Sequence, residues 1–238
     1  MKKNFKNLFC MALICCLIIP CAIALGACGK DNAIYAGKDM TLQEAVNAAE
    51  AGDVIKLDSD INLEKQVIVD KAITIDLCEY RITGENIWKG ATYEWSLISV
   101  QEGGELTIKN GTLEAAQDDC YAIDVRDGAK CTIQSGKYVG NISAVYVHTG
   151  ELTVNGGEFD IKQLSDITGD SRYTLNCYDA NFRNNTAKIT VKGGKFANYN
   201  PEGSTGENPA ADFLADGLKT EASAADANGD VWYSVVAE

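Results

Sequence analysis

Two neighbouring carboxylates and the single histidine of the chain are the residues best suited to catalysis. Asp118 and Asp119 stand immediately before an apolar strand pattern, and His148 follows about one sequence repeat later. Paired carboxylates can act as the general acid and general base of glycoside hydrolysis. Aspartates are also common turn residues before a strand, and we favour this interpretation. We therefore predict no catalytic residue and keep Asp118, Asp119 and His148 as the catalytic alternative.

Three aromatic residues lie close together in a polar stretch of the sequence. Trp88, Tyr93 and Trp95 fall within residues 85–96. Aromatic side chains on a loop can stack on sugar rings or anchor a protein partner. The alternative is that they pack against the side of the fold. The pattern predicts a ligand-binding site formed by Trp88, Tyr93 and Trp95.

The sequence predicts no cofactor. Beyond the first 28 residues it has four cysteines, no Cys-x-x-Cys and one histidine, which is too few ligands for a zinc site. Calcium is kept as an alternative at Asp118, Asp119 and Asp127, although their spacing matches no calcium-binding loop. Cys131 stands where other repeats have an aliphatic residue, which indicates a buried thiol. A disulfide between Cys120 and Cys131 remains open.

The N-terminus has the layout of a secretory signal peptide. Three lysines precede an apolar run over residues 8–25, and the leader ends in Leu25-Gly26-Ala27-Cys28. Small residues before a cysteine resemble the cleavage box of bacterial lipoproteins, which implies a signal peptide at 1–27 and a lipid on Cys28. Such a protein is extracytoplasmic and anchored to the bacterial cell membrane or surface by lipid alone. An ordinary signal peptide with a chance cysteine, or a retained anchor helix, is the alternative.

The charge of the chain excludes nucleic acid as a partner. The formal net charge is −13, and loss of the lysine-bearing leader makes it more negative. Such a surface repels nucleic acid phosphate and anionic lipid headgroups. It also repels polyanionic sugars unless cations bridge the two.

The secondary-structure elements that must position these residues are encoded by a repeated sequence pattern. An eight-residue template of apolar, Thr, apolar, polar, small, Gly, polar and apolar residues recurs at 106–113, 131–138, 152–159 and 189–196. Repeats of this kind stack so that each unit buries the apolar side of its neighbour. We expect the two residues flanking the threonine to point inward, the threonine outward, and the glycine to take a positive φ at a corner.

Both ends of the repeat array carry different patterns. Residues 28–40 read as a tether and lead-in strand, and a Thr-Leu-Gln-Glu capping box starts a helix at 41–51. Residues 198–238 read as a C-terminal cap that ends in a strand. The sequence therefore predicts one domain over 41–238. Its predicted fold class is all-β, a single-stranded right-handed parallel β-helix (solenoid) with an N-terminal capping helix and a C-terminal capping strand.

The opening of this domain resembles a known family. Leu42-Gln43-Glu44-Ala45, followed by residues 52–57 and 73–77, is similar to the first coils of pectin-lyase-like right-handed β-helix proteins. The later repeats resemble repeat-rich β-helix proteins of gut bacteria and their phages. This resemblance implies a fold, and for most such proteins no activity is established.

One local likeness concerns catalysis. Residues 118–123 resemble the paired-Asp strand of polygalacturonases, and His148-Thr149-Gly150 resembles their His-Gly. The upstream Asn-Thr-Asp and downstream Arg-x-Lys of that family are missing, as is the Arg-x-Pro-x-x-Arg of pectate lyases. We therefore predict a non-catalytic cell-surface lipoprotein that presents an adhesin-like surface to a glycan or a surface protein. The alternatives are a small polysaccharide hydrolase or lyase and a purely structural surface protein.

Overall fold

The computed structural model describes residues 33–84, 95–115, 120–162, 173–203 and 211–238. The predicted signal peptide, Cys28, Trp88, Tyr93, Asp118 and Asp119 lie outside the described residues. Residues Ala33–Glu238 form one compact unit by their internal contacts. In the described part of the chain, no helix has the length and apolar character needed to cross a membrane.

Twenty strands and two helices make up the described fold. In chain order they are β1 (Ile34–Ala36), α1 (Leu42–Ala48), β2 (Val54–Leu57), β3 (Ile61–Leu63), β4 (Val67–Val69), β5 (Ala72–Asp76), β6 (Arg81–Gly84), β7 (Ser96–Val100), β8 (Glu105–Lys109), β9 (Thr112–Ala115), β10 (Tyr121–Val125), β11 (Ala129–Ile133), β12 (Lys137–Gly140), β13 (Ser143–Val147), β14 (Gly150–Val154), β15 (Glu158–Ile161), β16 (Leu175–Cys177), α2 (Asp179–Arg183), β17 (Ala187–Val191), β18 (Lys195–Ala197), β19 (Leu218–Ala222) and β20 (Trp232–Ala237).

These strands form three sheets. Sheet A has the order β1-β2-β5-β8-β11-β14-β17, sheet B has β3-β6-β9-β12-β15-β18-β20-β19, and sheet C has β4-β7-β10-β13-β16. From β2 to β18 the chain visits sheets A, B and C in constant rotation, and neighbouring strands are parallel. The sequence repeats that start at residues 106, 131 and 152 thus each contribute one strand to each sheet, and the repeat at 189–196 contributes β17 to sheet A and β18 to sheet B.

The predicted fold class is wrong. The structure is an α/β-like multi-sheet fold, with 50% of residues in strands and 7% in helices, rather than an all-β solenoid. Helix α2 interrupts the strand order between β16 and β17. The C-terminal end carries the antiparallel pair β19–β20 instead of a single capping strand. The repeat template covers a strand of sheet A, the turn after it and the first two residues of the sheet B strand, so it contains no information about these other elements.

The interior follows the template. Leu106, Cys131, Leu152 and Ile189 are consecutive partners in sheet A, and each is at most 5% exposed. Thr107, which lies between the inward residues Leu106 and Ile108 of β8, is half-buried on the outer face. The expected inward and outward positions are therefore confirmed for this strand. Within the described residues no disulfide forms, and burial raises the pKa of the Cys131 thiol to about 12.

In sheet B the inward positions hold an aromatic stack. The Tyr138 and Phe159 rings are 5.3 Å apart, and the Phe159 and Phe196 rings are 4.9 Å apart, each pair nearly parallel. All three residues are fully buried. Burial of such large rings makes this column a major contribution to stability.

The corner between sheets A and B needs glycine, as expected, but not always at the predicted position. Gly136, Gly157 and Gly194 have φ of +109°, +114° and +113°. In the first copy of the template the positive φ belongs to Asn110, at +60°, and not to Gly111. A Cβ on Gly111 would lie 2.3 Å from the Leu77 Cβ, so this glycine permits close packing instead.

The predicted capping box is confirmed, while the helix is shorter than 41–51. The Glu44 backbone N–H donates to the Thr41 hydroxyl at 3.2 Å, and the Thr41 N–H donates to the Glu44 carboxylate at 2.9 Å. Helix α1 buries Leu42, Ala45 and Val46 against the first strands. It closes the N-terminal end of sheet C, as shown below.

Candidate functional site

The buried polar residues of the described chain gather at sheet C. All of them lie on its strands or within two residues of a strand end. They are Ser96, Ser99, Asp124, Arg126, Asn141, Ser143, Thr174 and Asn176. Because buried polar groups are costly unless they are paired, such a concentration marks this sheet as different from the other two.

The strand register places outer-face side chains in two rows. In the middle row the consecutive partners are Ile68, Ser99, Asp124, Tyr146 and Asn176. The neighbours Val100, Val125 and Val147 are buried in the core, so by strand alternation the middle row lies on the opposite, outer face.

The second row, called the end row, lies one residue beyond the strand ends. The backbone ladder continues there, because Gln101 N–H donates to the Val69 carbonyl at 2.9 Å and Arg126 N–H to the Val100 carbonyl at 2.8 Å. His148 and Tyr178 continue it with donor bonds of 2.9 Å each. The end row thus consists of Asp70, Gln101, Arg126, His148 and Tyr178.

An ion pair connects the two rows. The Arg126 Nε donates to the Asp124 carboxylate, and the Ser96 hydroxyl donates to the other carboxylate oxygen at 3.0 Å. Asp124 is fully buried and Arg126 is 8% exposed. Burial raises the pKa of the Asp124 carboxyl above its ordinary value, although Arg126 and the Ser99 hydroxyl act in the opposite direction. The pair is therefore a fixed internal charge network rather than a solvated surface bridge.

Two pairs of stacked aromatic rings neighbour this ion pair in the strand register, since Tyr146 is the partner of Asp124 and His148 is next to Arg126 in the end row. Tyr121 stacks on Tyr146 with 4.9 Å between ring centroids, and His148 stacks on Tyr178 at 5.2 Å. Trp95 directly precedes β7, and its carbonyl accepts from the Tyr121 N–H at 2.7 Å. Trp95 is 38% and Tyr178 is 42% exposed, so both present ring surface to solvent.

Helix α2 positions the histidine end of the row. The Asn181 side chain donates to the His148 carbonyl at 2.6 Å, and Tyr178 is the residue immediately before the helix. The helix is a single short turn closed by the Asp179–Arg183 pair. Its insertion therefore fixes the backbone that carries His148 and Tyr178.

Two of the predicted site residues can be placed, and both belong to this region. Trp95 enters sheet C and His148 stands in its end row. Trp88, Tyr93, Asp118 and Asp119 lie outside the described residues, so the predicted aromatic loop and the catalytic alternative stay predictions. Asp127, named for calcium, is an exposed turn residue with φ of +54°.

Sequence reasoning missed Arg126, Tyr121 and Tyr178. Their position in the repeat could have identified two of them, because Arg126 directly follows β10 and Tyr178 directly follows β16, both strands of sheet C. The template was aligned on sheet A, whose spacing to sheet C varies among repeats. No protein-family model, curated protein or solved structure matches this chain. The resemblance to pectin-lyase-like proteins therefore stays a prediction, and the interpretation of this face depends on its geometry.

Proposed function

We propose that the protein is a non-catalytic surface lipoprotein whose sheet C face binds a glycan. The observation that carries this proposal is that sheet C has exposed rings at both ends of its strands, Trp95 before β7 and Tyr178 after β16, together with the polar side chains of the end row. Sugar rings bind to proteins by stacking on aromatic faces while amide, hydroxyl and guanidinium groups take their hydroxyls. A surface protein partner is the second occupant of the same face.

The expected glycan is uncharged. The chain has a net charge of −13, so a polyanionic sugar would be repelled at long range. The one cation of the end row, Arg126, is already bound to Asp124 and does not supply a free positive charge. Neutral hexose polymers fit both conditions.

A binding role is favoured over hydrolysis. General acid–base work requires a carboxyl group that reaches the substrate. Asp124, the middle-row carboxylate, is fully buried and ion-paired, and the His148 ring is stacked on Tyr178. These contacts support a role for the face as a preformed surface.

Binding can be tested with a glycan array followed by calorimetry on the strongest hit. We expect Trp95→Ala and Tyr178→Ala each to weaken binding about tenfold or more, as loss of a stacking ring at a binding centre does. The paired variant Trp88→Ala/Trp95→Ala extends the test to the aromatic loop. Tyr35→Ala is the matched control, since Tyr35 is a 50% exposed aromatic on β1 in sheet A.

Two results would overturn the glycan proposal. One is the absence of any neutral glycan hit with the wild-type chain. The other is an equal affinity of the wild type, Trp95→Ala and Tyr178→Ala. Loss of binding in Tyr35→Ala would move the site away from sheet C.

The lipid anchor has its own experiment. We propose that Cys28 carries the lipid, because the leader before it has the lipoprotein layout. Metabolic labelling with palmitate is expected to mark the wild type and to fail with Cys28→Ser. Label that persists in Cys28→Ser refutes the anchor and leaves the sheet C proposal untouched.

A further inference from the structure

The N-terminal edge of sheet C is closed by a side chain. The Gln43 amide of α1 lies along β4, where its Oε1 accepts from the Ile68 N–H at 2.7 Å and its Nε2 donates to the Ile68 carbonyl at 3.2 Å. These are the two backbone groups that a preceding parallel strand would use. Gln43 thus takes the place of one more strand.

Among the residues that the structure describes, none closes the N-terminal edge of sheet B in this way. Outward residues of this sheet turn their N–H toward the preceding strand, since Thr112 donates to the Tyr80 carbonyl at 3.1 Å and Lys137 to the Gly111 carbonyl at 2.7 Å. Asn62 is the outward residue of β3, in register with Thr83, and β3 is the first strand of its sheet. Its backbone N–H and carbonyl therefore point to the open side. No side chain or loop among the described residues bonds to them, in contrast to Ile68.

A recess of about 570 Å³ adjoins this open edge. Its apolar lining includes Leu42, Ile61, Leu63 and Val67, and its polar rim includes Asp60, Glu64 and Lys65. The recess lies at the end of the inward column of sheet B, in which Ile61 is the partner of Ile82 and Ile82 of Leu113. An added strand would continue this column by placing one apolar side chain over Ile61 and a second over Leu63.

We propose that the β3 edge binds an extended peptide segment of another protein, which joins sheet B as an additional strand. Strand addition at an open edge gains affinity from backbone bonds and selectivity from the pockets for alternate side chains. The recess selects two apolar residues separated by one residue. Asp60 directly precedes β3 and accepts from the Arg81 N–H at 2.8 Å, while Glu64 directly follows β3 beside Lys65. The net charge of −13 makes the chain as a whole attract a peptide with basic flanks.

A second copy of this chain fits the edge less well. The strand at the far end of sheet B is β19, whose Thr220 N–H already donates to the Glu202 carboxylate at 2.9 Å. Charged Lys219 and Glu221 on β19 are exposed, and charges on an edge strand oppose edge-to-edge pairing. A foreign peptide is therefore the occupant that the geometry favours.

The test uses a labelled eight-residue peptide with a Val-Thr-Val centre and lysines on both flanks, measured by fluorescence anisotropy. Asn62→Pro removes the N–H that points to the open side, and proline is tolerated on an edge strand at such a position. Asn62→Ala keeps the N–H and is the matched control. We expect Asn62→Pro to weaken binding about tenfold and Asn62→Ala to stay near the wild type. Circular dichroism confirms that both variants are folded.

A second measurement does not depend on the protein variant. The same peptide with N-methyl groups on alternate residues loses the N–H groups on one side, and we expect one of the two methylation patterns to abolish binding. The proposal is overturned if the wild type does not bind the peptide, if Asn62→Pro and Asn62→Ala bind it equally, or if both methylation patterns bind. Concentration-dependent self-association that Asn62→Pro abolishes would assign the edge to a second copy. These outcomes are independent of glycan binding at sheet C.

Discussion

Replacement of Arg126 by methionine tests whether the buried ion pair of sheet C holds this face together. Methionine keeps an unbranched stem of similar length and removes the charge. Asp124 then stays fully buried without its cation. Breaking a buried pair by removing one partner costs about 3–5 kcal/mol, so we expect a loss of this size in the free energy of unfolding at neutral pH.

Lys130→Met is the matched control. Lys130 donates to Glu105 at 2.8 Å on the outer face of sheet A, and both side chains are 56% exposed. Exposed pairs contribute little to stability because water screens them, so we expect a much smaller loss than for Arg126→Met. Both substitutions change a cation to methionine, so the difference between the two losses reports the effect of burial.

The losses can be measured by urea unfolding, followed by circular dichroism, at several pH values. Burial raises the pKa of Asp124 in the folded state, so the folded chain binds more protons than the unfolded chain above the ordinary Asp pKa. Stability from this group is therefore complete below that ordinary value and falls as the pH rises through the folded-state pKa. Loss of Arg126 raises this pKa further. The difference in the free energy of unfolding between Arg126→Met and the wild type should therefore shrink as the pH is lowered.

The reasoning is refuted if Arg126→Met costs no more than Lys130→Met, or if its cost is the same at all pH values. A double variant, Asp124→Leu/Arg126→Met, distinguishes the pair from its surroundings. Replacing both charges by apolar groups should recover most of the lost stability, since the desolvation penalty disappears with them.

Three further predictions concern the scaffold and use the same unfolding assay. Gly136→Ala places a Cβ 2.7 Å from the Gly111 carbonyl at a φ of +109° and should cost about 3 kcal/mol. Gly128→Ala, at a positive φ with open space around it, should cost only about 1 kcal/mol, and an equal loss would contradict the close-contact explanation. Phe159→Ala removes the middle ring of the buried stack and should cost about 3–5 kcal/mol, whereas a loss below 1 kcal/mol would show that its neighbours collapse into the gap. Thr41→Ala should cost about 1 kcal/mol through loss of the capping box, and Thr41→Ser should preserve it.

Local features were predicted well because they depend on neighbours in the sequence. The alternation around Thr107 fixes which residues face inward, and the capping box at Thr41 satisfies the helix start within four residues. The corner glycines could be predicted for the same reason, since a positive φ is set by the backbone of the turn itself. The prediction of a positive φ at Gly111 is wrong for a local reason as well. The preceding Asn110 adopts the left-handed conformation and forms hydrogen bonds to Ser135 and Asp76.

The fold class was predicted wrongly because the template covers only part of each repeat. It specifies pairing between like strands of sheet A. It does not include helix α2, which follows strand β16 of sheet C, or the β19–β20 pair, which lies C-terminal to the last repeat. Elements outside the periodic segment have to be identified from their own local signals.

The sequence alone thus determined the repeat, its inward and outward positions and the first capping helix. Only the tertiary structure decided that Arg126, His148 and Tyr178 share one row, and that the Asp124 beside them is buried. The number of residues between the sheet A strand and the sheet C strand differs from one repeat to the next. Sequence spacing alone therefore does not align these residues. Backbone hydrogen bonds between neighbouring strands align them, and those bonds exist only after the sheets have formed.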